Sequence, residues 1–345
     1  MEQPSDIGTQ PRLNVVAVGG GTGLSTLLSG LKEFVRSPLA AVSITNLSAI
    51  VAVTDDGGSS GRLRDELQML PPGDIRNCMV ALSEDSLLLS RLFRYRFEGR
   101  GDLKGHSFGN IFLAALSGLT GDFAEAVRLS SGILASKGHI FPATNANVHL
   151  VAELDDGSIA QGETRISQVG PSIKHLYLEP ETCHPLPAAI EAIENADIIT
   201  IGPGSLYTSL LPPLLVHGLA EAVGRSRATR VFVSNLMTQP GETSGFSAMH
   251  HLGELQKYTP EIRFDHVILN DQVVSREQRE RYFAEGSEQI GIDEGAAIAS
   301  EFGVNVVYAN LLDDGEKVRH APGRLAGSVL SCARATKPAA QNGSL

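Results

Sequence analysis

The chain has no tryptophan and only three cysteines in 345 residues. Cys78, Cys183 and Cys332 lie far apart, so neither a zinc-type spacing nor a disulfide framework can be read from them. An odd, low count fits a reducing compartment, the cytoplasm. No apolar run approaches the roughly 18 residues that cross a bilayer, so no transmembrane segment is expected. Met1 to Pro11 carries Glu2 and Asp6 and no apolar stretch, unlike a secretory signal. Positive charge is short as well: 28 Lys and Arg face 39 Asp and Glu, a net charge of −11. Phosphate backbones need a basic footprint, so nucleic acid is not an expected partner. A small phosphorylated ligand needs only one local pocket and stays open.

Glycine is abundant, with 36 residues, and 42% of the chain is apolar, enough for a large core. Residues 1–11 and 334–345 read as flexible tails around a single domain, 12–333. Within it, short apolar runs alternate with glycine loops and helical periods. Leu13–Val18 is a strand that meets Gly19–Gly23, and apolar residues from Leu24 to Val35 then follow a helical period. Further strands are expected at Ala49–Val53, Asp197–Ile201, Arg230–Val233, Val267–Leu269 and Val304–Ala309. Helices are expected at Leu186–Asn195 and, buried, at Ile111–Leu119. Val148–Leu154, Asp156-Gly157 and Ser158–Gln161 read as a hairpin. The fold class is therefore α/β: a Rossmann-like, mostly parallel sheet with helices on both faces and an antiparallel hairpin addition. In such sheets ligands bind at the carboxyl ends of strands. Those ends are where Gly, Asp, Asn and Ser recur here.

Six segments can carry chemistry. Gly19-Gly20-Gly21-Thr22-Gly23 precedes a helix, whose free N–H groups suit an anion. No lysine follows at the Walker position, and Leu24 stands where a dinucleotide fingerprint needs a third small residue. The loop thus points to phosphate rather than to NAD, or else to a turn that only packs strand on helix. Asp55-Asp56-Gly57-Gly58-Ser59-Ser60-Gly61-Arg62 offers two carboxylates for Mg²⁺, ribose or a hydroxyl nucleophile, and Arg62 for phosphate. A solvated acidic turn is the alternative. The letters at 57–61 also match the G-x-S-x-G elbow, for which His320 is an available late histidine.

In Pro71–Asn77, Asp74 can cap a helix or pair with an arginine, and Asp74, Arg76 or Asn77 can touch a ligand. In Gly105–Asn110, His106 can bind phosphate or act as an acid, while Ser107 and Asn110 can cap the next helix or touch ligand. Gly202-Pro203-Gly204-Ser205 resembles a second anion cradle, with Ser205 and Thr208 as hydroxyl donors. Ser234–Gln239 is a polar strand exit in which Asn235 can read a base or sugar edge and Thr238 can contribute a hydroxyl. Arg91, Arg94, Arg96 and Arg100, opposed only by Glu98, can attract an anionic ligand or partner, with a solvated helix face the favoured reading.

Taken in order, VVAVGGGTGLSTLLSGLK, VTDDGGSSGRLRDEL, LPPGDIRNCMVALS, GHSFGNIFLAAL, TGDFAEAV, IGPGSLYTSLLPPLLV and MTQPGET resemble the YvcK-type gluconeogenesis factor family of the CofD-like superfamily. The resemblance runs from Leu13 to Gly323. It implies a Rossmann-like protein that binds nucleotide-sugars of the UDP-GlcNAc kind and supports cell-envelope and shape maintenance on gluconeogenic carbon sources. A cell-wall-synthesis or regulatory protein partner would go with that role, and a homo-oligomer stays open. The same resemblance places Tyr282 and Arg319 at the nucleotide-sugar. The superfamily's enzyme, 2-phospho-L-lactate transferase, moves a phospholactyl group from a nucleotide-linked donor to a deazaflavin with Mg²⁺. Asp55-Asp56 matches its acidic strand end, whereas Gly57–Gly61 matches the YvcK-type branch. Asp55, Asp56 and His106 are the candidates if the site turns over, and Mg²⁺ on Asp55 and Asp56 is the one cofactor implied.

Overall fold

The computed structural model describes residues 11–84, 87–169 and 173–333. The expected tails, Pro11 apart, lie outside the described residues. Seven parallel strands form the main sheet: β1 (Arg12–Gly19), β2 (Ser43–Val51), β3 (His139–Pro142), β7 (Ile198–Ile201), β8 (Thr229–Val233), β9 (His266–Asn270) and β10 (Asn305–Ala309). Their order is β10-β9-β8-β7-β1-β2-β3. Every residue from Val15 to Gly19, in β7 and in β9 is buried, so both faces of the sheet are covered. That is why these strands read as continuous rather than alternating apolar runs.

Three strands fall outside this sheet. β4 (His149–Leu154), β5 (Ile159–Gln161) and β6 (Ile173–Glu179) form a separate antiparallel sheet of order β5-β4-β6. The expected antiparallel hairpin is thus present, and with β6 it makes a small sheet of its own.

The chain runs β1 to β2 to β3 towards one edge, then returns through β7 to β10 towards the other. Strand order therefore reverses between β1 and β7, which opens a crevice beyond their carboxyl ends. Helix α1 (Gly21–Leu31) starts there. It buries Leu24, Leu27, Leu28 and Leu31, the i, i+3, i+4, i+7 stripe of an amphipathic helix. Each such side chain contributes roughly 1.5–3 kcal/mol on burial. The same helix leans on the C-terminal helix Pro322–Cys332, where Gly30 lets the Pro322 main chain approach closely.

Helix α2 (Gly58–Leu67) follows the exit of β2, and α3 (Gly73–Leu82) and α4 (Leu87–Arg94) come next. Helix α5 (Phe108–Thr120) is capped by Ser107, whose hydroxyl accepts the Asn110 amide at 3.1 Å. It is followed by α6 (Phe123–Ile133) and the single turn α7 (Glu163–Ile166). Two local expectations need correction. Strand β2 begins at Ser43 and ends at Val51, earlier at both ends than Ala49–Val53, because exposed Thr45 and Asn46 interrupt its apolar pattern. Helix α5 is not wholly buried: Leu119 is 82% exposed.

Candidate functional site

A cavity of about 700 Å³ lies in the crevice between β1 and β7. The Gly20–Gly23 loop after β1, the Pro203–Ser205 loop after β7 and, at the exit of β8, Asn235, Leu236, Met237 and Gln239 wall it, together with Asn77, Arg94 and Val318–His320. The two glycine loops touch. A Cβ at Gly23 would run into the Pro203 carbonyl, so only glycine allows this closure. Gly21 also needs its freedom, with φ at +62°.

The first turn of α1 leaves the Thr22 and Gly23 amides without an intrahelical partner. The Gly21 amide is different: it donates to Asp74 Oδ2 at 2.7 Å. Asp74 therefore serves the N-terminus of α1 and makes no side-chain cap for its own helix, α3. Burial, helped by the neighbouring Asp55 charge, pushes the Asp74 carboxyl up to about 6.

The second loop is braced from β8. Asn235 Oδ1 accepts the Gly204 amide at 3.0 Å, and its Nδ2 donates to the Gly204 carbonyl at 2.8 Å. Both ends of this amide are thus engaged in holding the loop, although the side chain lines the cavity. After Ser205 the chain makes a wide turn, Leu206–Leu210, in which Ser209 and Leu210 both donate to the Ser205 carbonyl. Such wide turns concentrate at functional sites. Buried Glu242 accepts the Tyr207 amide at 2.9 Å, and burial holds its carboxyl above the usual range.

Arg94 and Arg319 bring cationic groups to the cavity wall. Tyr282 does not line it. Its hydroxyl accepts the Val318 amide at 3.1 Å, which ties the Tyr282 helix to the strip carrying Arg319. Thr238 also lies off the wall and braces the loop: its hydroxyl accepts the Glu288 amide at 2.9 Å.

The Asp55–Arg62 segment forms a second, adjoining cluster outside this lining. Asp55 Oδ1 accepts the Gly57 amide at 2.9 Å. Asp56 Oδ1 accepts the Thr164 amide and hydroxyl at 2.9 and 2.6 Å, which tethers the small sheet's α7 to the exit of β2. Glu163 accepts a bond from Thr54 at 2.5 Å. Burial, with Asp74 and Asp55 nearby, holds its carboxyl well above the usual range. Arg64 is buried beside these carboxylates; its Nε and Nη1 lack partners, and burial lowers its pKa.

Ser59, the elbow serine, is buried in the first turn of α2. Its hydroxyl meets His106 Nδ1 at 2.9 Å and receives Asn110 Nδ2 at 3.1 Å. It faces His106 and not His320, which lines the cavity instead. Burial and the Arg62 charge hold the His106 pKa below its ordinary value. Arg62 itself donates to the Lys104 and Asp102 carbonyls, at 2.6 and 3.4 Å. Among the described residues, no group of three or more His, Cys, Asp or Glu is arranged to hold a metal ion. Asp55 and Asp56 can hold one only if the ligand supplies oxygens, the manner in which Mg²⁺ is often bound.

The structure therefore gathers Gly20, Gly21, Thr22, Gly23, Asn77, Pro203, Gly204, Ser205, Asn235 and Arg319 around one cavity. It sets Gly19, Asp55, Asp56, Gly57, Gly58, Ser59, Arg62, His106, Ser107, Asn110, Gly202, Thr238 and Tyr282 outside that lining. Sequence reasoning missed Gln239 and His320 on the wall and favoured a solvated face for Arg94 over an anionic ligand, yet Arg94 lines the cavity. The adjacency of His320 to Arg319, and of Gln239 to the β8 exit, was the available signal.

A parallel α/β sheet with two interlocked glycine loops at its switch point defines a Rossmann-like protein with a crevice at the carboxyl ends of its strands. The chain belongs to the CofD family: the family model described as 2-phospho-L-lactate transferase CofD matches residues 15–312. It is similar to the gluconeogenesis factor of Halalkalibacterium halodurans, 44% identical over 317 residues, which span 92% of this chain and 95% of that protein. It is also 44% identical over 287 residues to the Bacillus subtilis gluconeogenesis factor, covering 83% of this chain and 87% of that protein. A crystal structure of a Bacillus halodurans member of the UPF0052 family matches with a TM-score of 0.85 and 41% identity. That match covers 93% of this chain and 99% of the other. No single helix among the described residues is long and apolar enough to cross a membrane.

Proposed function

We propose that the protein binds a nucleotide-sugar of the UDP-GlcNAc kind and acts as a gluconeogenesis factor in the cytoplasm. Ligand binding would regulate cell-envelope and shape maintenance during growth on gluconeogenic carbon sources. The cavity at the β1/β7 switch point carries this reading. It is large enough for a nucleotide-sized ligand, it joins two glycine loops, and it brings Arg94 and Arg319 to a protein of net charge −11. The Thr22 and Gly23 amides would take a diphosphate at the N-terminus of α1. The bound form would differ from the free form in the surface it offers a cell-wall-synthesis or regulatory partner. The names of its relatives, gluconeogenesis factors, support the link to growth on gluconeogenic carbon sources.

A second reading, a Mg²⁺-dependent transferase acting on a nucleotide-diphosphate-linked donor, is favoured by a cluster of partly buried carboxylates. Asp55, Asp74 and Glu163 stand close together at the foot of the first glycine loop, where bound Mg²⁺ would offset their repulsion. Asp55 and Asp56 would hold it, and His106 would be the acid candidate. One experiment separates the two. UDP-GlcNAc is titrated calorimetrically with and without Mg²⁺, and the recovered ligand is chromatographed. Saturable binding with intact ligand supports the regulatory reading, and cleaved or transferred ligand supports the transferase. Absence of binding in both conditions overturns the nucleotide-sugar assignment.

A further inference from the structure

The cavity wall built by the β8 exit and by Val318–His320 differs from the glycine loops in what it offers. His320 Nε2 is buried and has no hydrogen-bond partner, and the same is true of Gln239 Oε1. Both residues line the cavity. Gln239 is anchored by its other amide end, which lies 2.8 Å from Ser205 Oγ. The His320 ring is anchored by a hydrogen bond to the Ser234 main chain. That bond favours the protonated ring, so in it the ring donates to a carbonyl. Burial outweighs it and lowers the ring's pKa to about 4, so the imidazole is neutral at pH 7. Its single N–H is then committed to Ser234, and Nε2 carries only a lone pair.

A lone pair cannot receive a phosphate or carboxylate oxygen, because neither brings a hydrogen. A buried, unmatched acceptor is costly, and the cost is relieved by a group that donates. We propose that His320 Nε2 and the free end of the Gln239 amide form a neutral subsite that takes sugar hydroxyls of the ligand, each acceptor receiving one. The cavity is thereby divided. Anionic oxygens go to the α1 amides and the two arginines, and the hydroxyl-bearing part goes to Gln239 and His320. This inference rests on the ligand-binding reading above and adds selectivity to it.

The test titrates the full chain with inorganic diphosphate, UDP and UDP-GlcNAc, using the wild type, His320→Phe and His320→Gln. His320→Phe fills the space without an acceptor, and His320→Gln restores a neutral one. Circular dichroism melts check that each variant folds. We expect His320→Phe to weaken the tighter-binding of UDP and UDP-GlcNAc by about 10- to 100-fold. Inorganic diphosphate should change by no more than about twofold, and His320→Gln should recover most of the loss. Equal weakening of diphosphate, or unchanged binding of the hydroxyl-bearing ligands, overturns the subsite. If UDP binds and UDP-GlcNAc does not, the nucleotide-sugar reading fails while the His320 comparison between UDP and diphosphate still decides the subsite. If wild type binds none of the three, both fall.

Discussion

Asp74 Oδ2 accepts the Gly21 amide at 2.7 Å, so a carboxylate from α3 occupies part of the anion position at the start of α1. This places a titrating group beside the amides left for a ligand phosphate. The Asp74 carboxyl sits at about 6 because its partly buried setting desolvates it and the Asp55 charge is near. A phosphate arriving at Thr22 and Gly23 adds further negative charge, which makes protonated Asp74 more favourable. Binding of UDP-GlcNAc is therefore expected to take up a proton near pH 7 and to tighten, by up to about tenfold, between pH 8 and pH 6. The ligand's diphosphate does not titrate in this range. Calorimetry in two buffers of different ionisation heat measures the uptake, and Asp74→Asn should abolish it. Wild-type binding without proton uptake would contradict this account.

The same residue predicts a stability profile. Its folded pKa lies above the ordinary carboxylate value of 3.8, so the native state holds the proton more tightly than the unfolded chain. Stability from this group is present below about pH 4, declines as pH rises to about 6, and stays lost above that. Glu163, raised by burial and by the same carboxylates, works in the same direction. Asp74→Asn should stabilise the protein by about 1–3 kcal/mol at pH 8 and by about a third as much at pH 4.5. Urea unfolding at the two pH values gives the comparison, and a gain of equal size at both would show that the carboxyl is not the cause.

Gly23 and Gly118 make a matched pair. A Cβ at Gly23 meets the Pro203 carbonyl, which is main chain and cannot swing away, whereas a Cβ at Gly118 in α5 meets nothing within 4 Å. Gly23→Ala should cost a few kcal/mol, roughly 2–4, and abolish ligand binding. Gly118→Ala should add about 0.5–1 kcal/mol through helix propensity alone. Thermal melts of both variants check the contrast, and similar melting temperatures would refute the interlocked-loop geometry.

Much of this frame was legible in the sequence. Leu13–Val18, the GGGTG loop and the stripe Leu24, Leu27, Leu28 and Leu31 encode strand, turn and helix locally, so β1 and α1 emerge from periodicity. The exits of β7 and β8 announce themselves by a run of Gly, Pro, Ser and Asn. Helix α2 did not, because its Gly-Ser-Ser-Gly opening has poor helix propensity and forms only in context. Strand β3 has four residues, too few to show a period. Asp74 reaches Gly21 across 53 residues, and no local pattern encodes such a pairing. Asn235 illustrates the limit for the site. Its type and place suggest ligand readout, yet both ends of its amide hold Gly204. His320 stood out only as a late histidine for the elbow and as the neighbour of Arg319, since its unpartnered nitrogen is a property of the folded wall.

The Asn235 brace makes its own prediction. Asn235→Asp keeps the shape and the acceptor towards the Gly204 amide, but sets an oxygen against the Gly204 carbonyl in place of a donor. Loss of one bond and the new repulsion should lower stability by about 1–3 kcal/mol. Binding of inorganic diphosphate should weaken with it, because the Pro203–Ser205 loop is then free to shift away from α1. Denaturant midpoints and a diphosphate titration measure the two effects, and a destabilised variant that binds as tightly as wild type would separate brace from binding site.

Tyr282 sits off the cavity wall, and its hydroxyl receives the Val318 amide next to Arg319, so its influence on a ligand should pass through that strip. Tyr282→Phe removes the acceptor and keeps the ring, including the Arg281 guanidinium 5.6 Å from its centroid. Affinity for UDP-GlcNAc should fall about 3- to 10-fold, with a melting temperature close to wild type. Arg319→Ala, which removes the charge at the wall, should cost about tenfold or more and flatten the salt dependence of binding. If Tyr282 works by placing Arg319, the loss from Tyr282→Phe shrinks when Arg319 is already alanine, so the two changes are less than additive. Fully additive losses in this double-mutant cycle would show instead that the tyrosine touches the ligand itself.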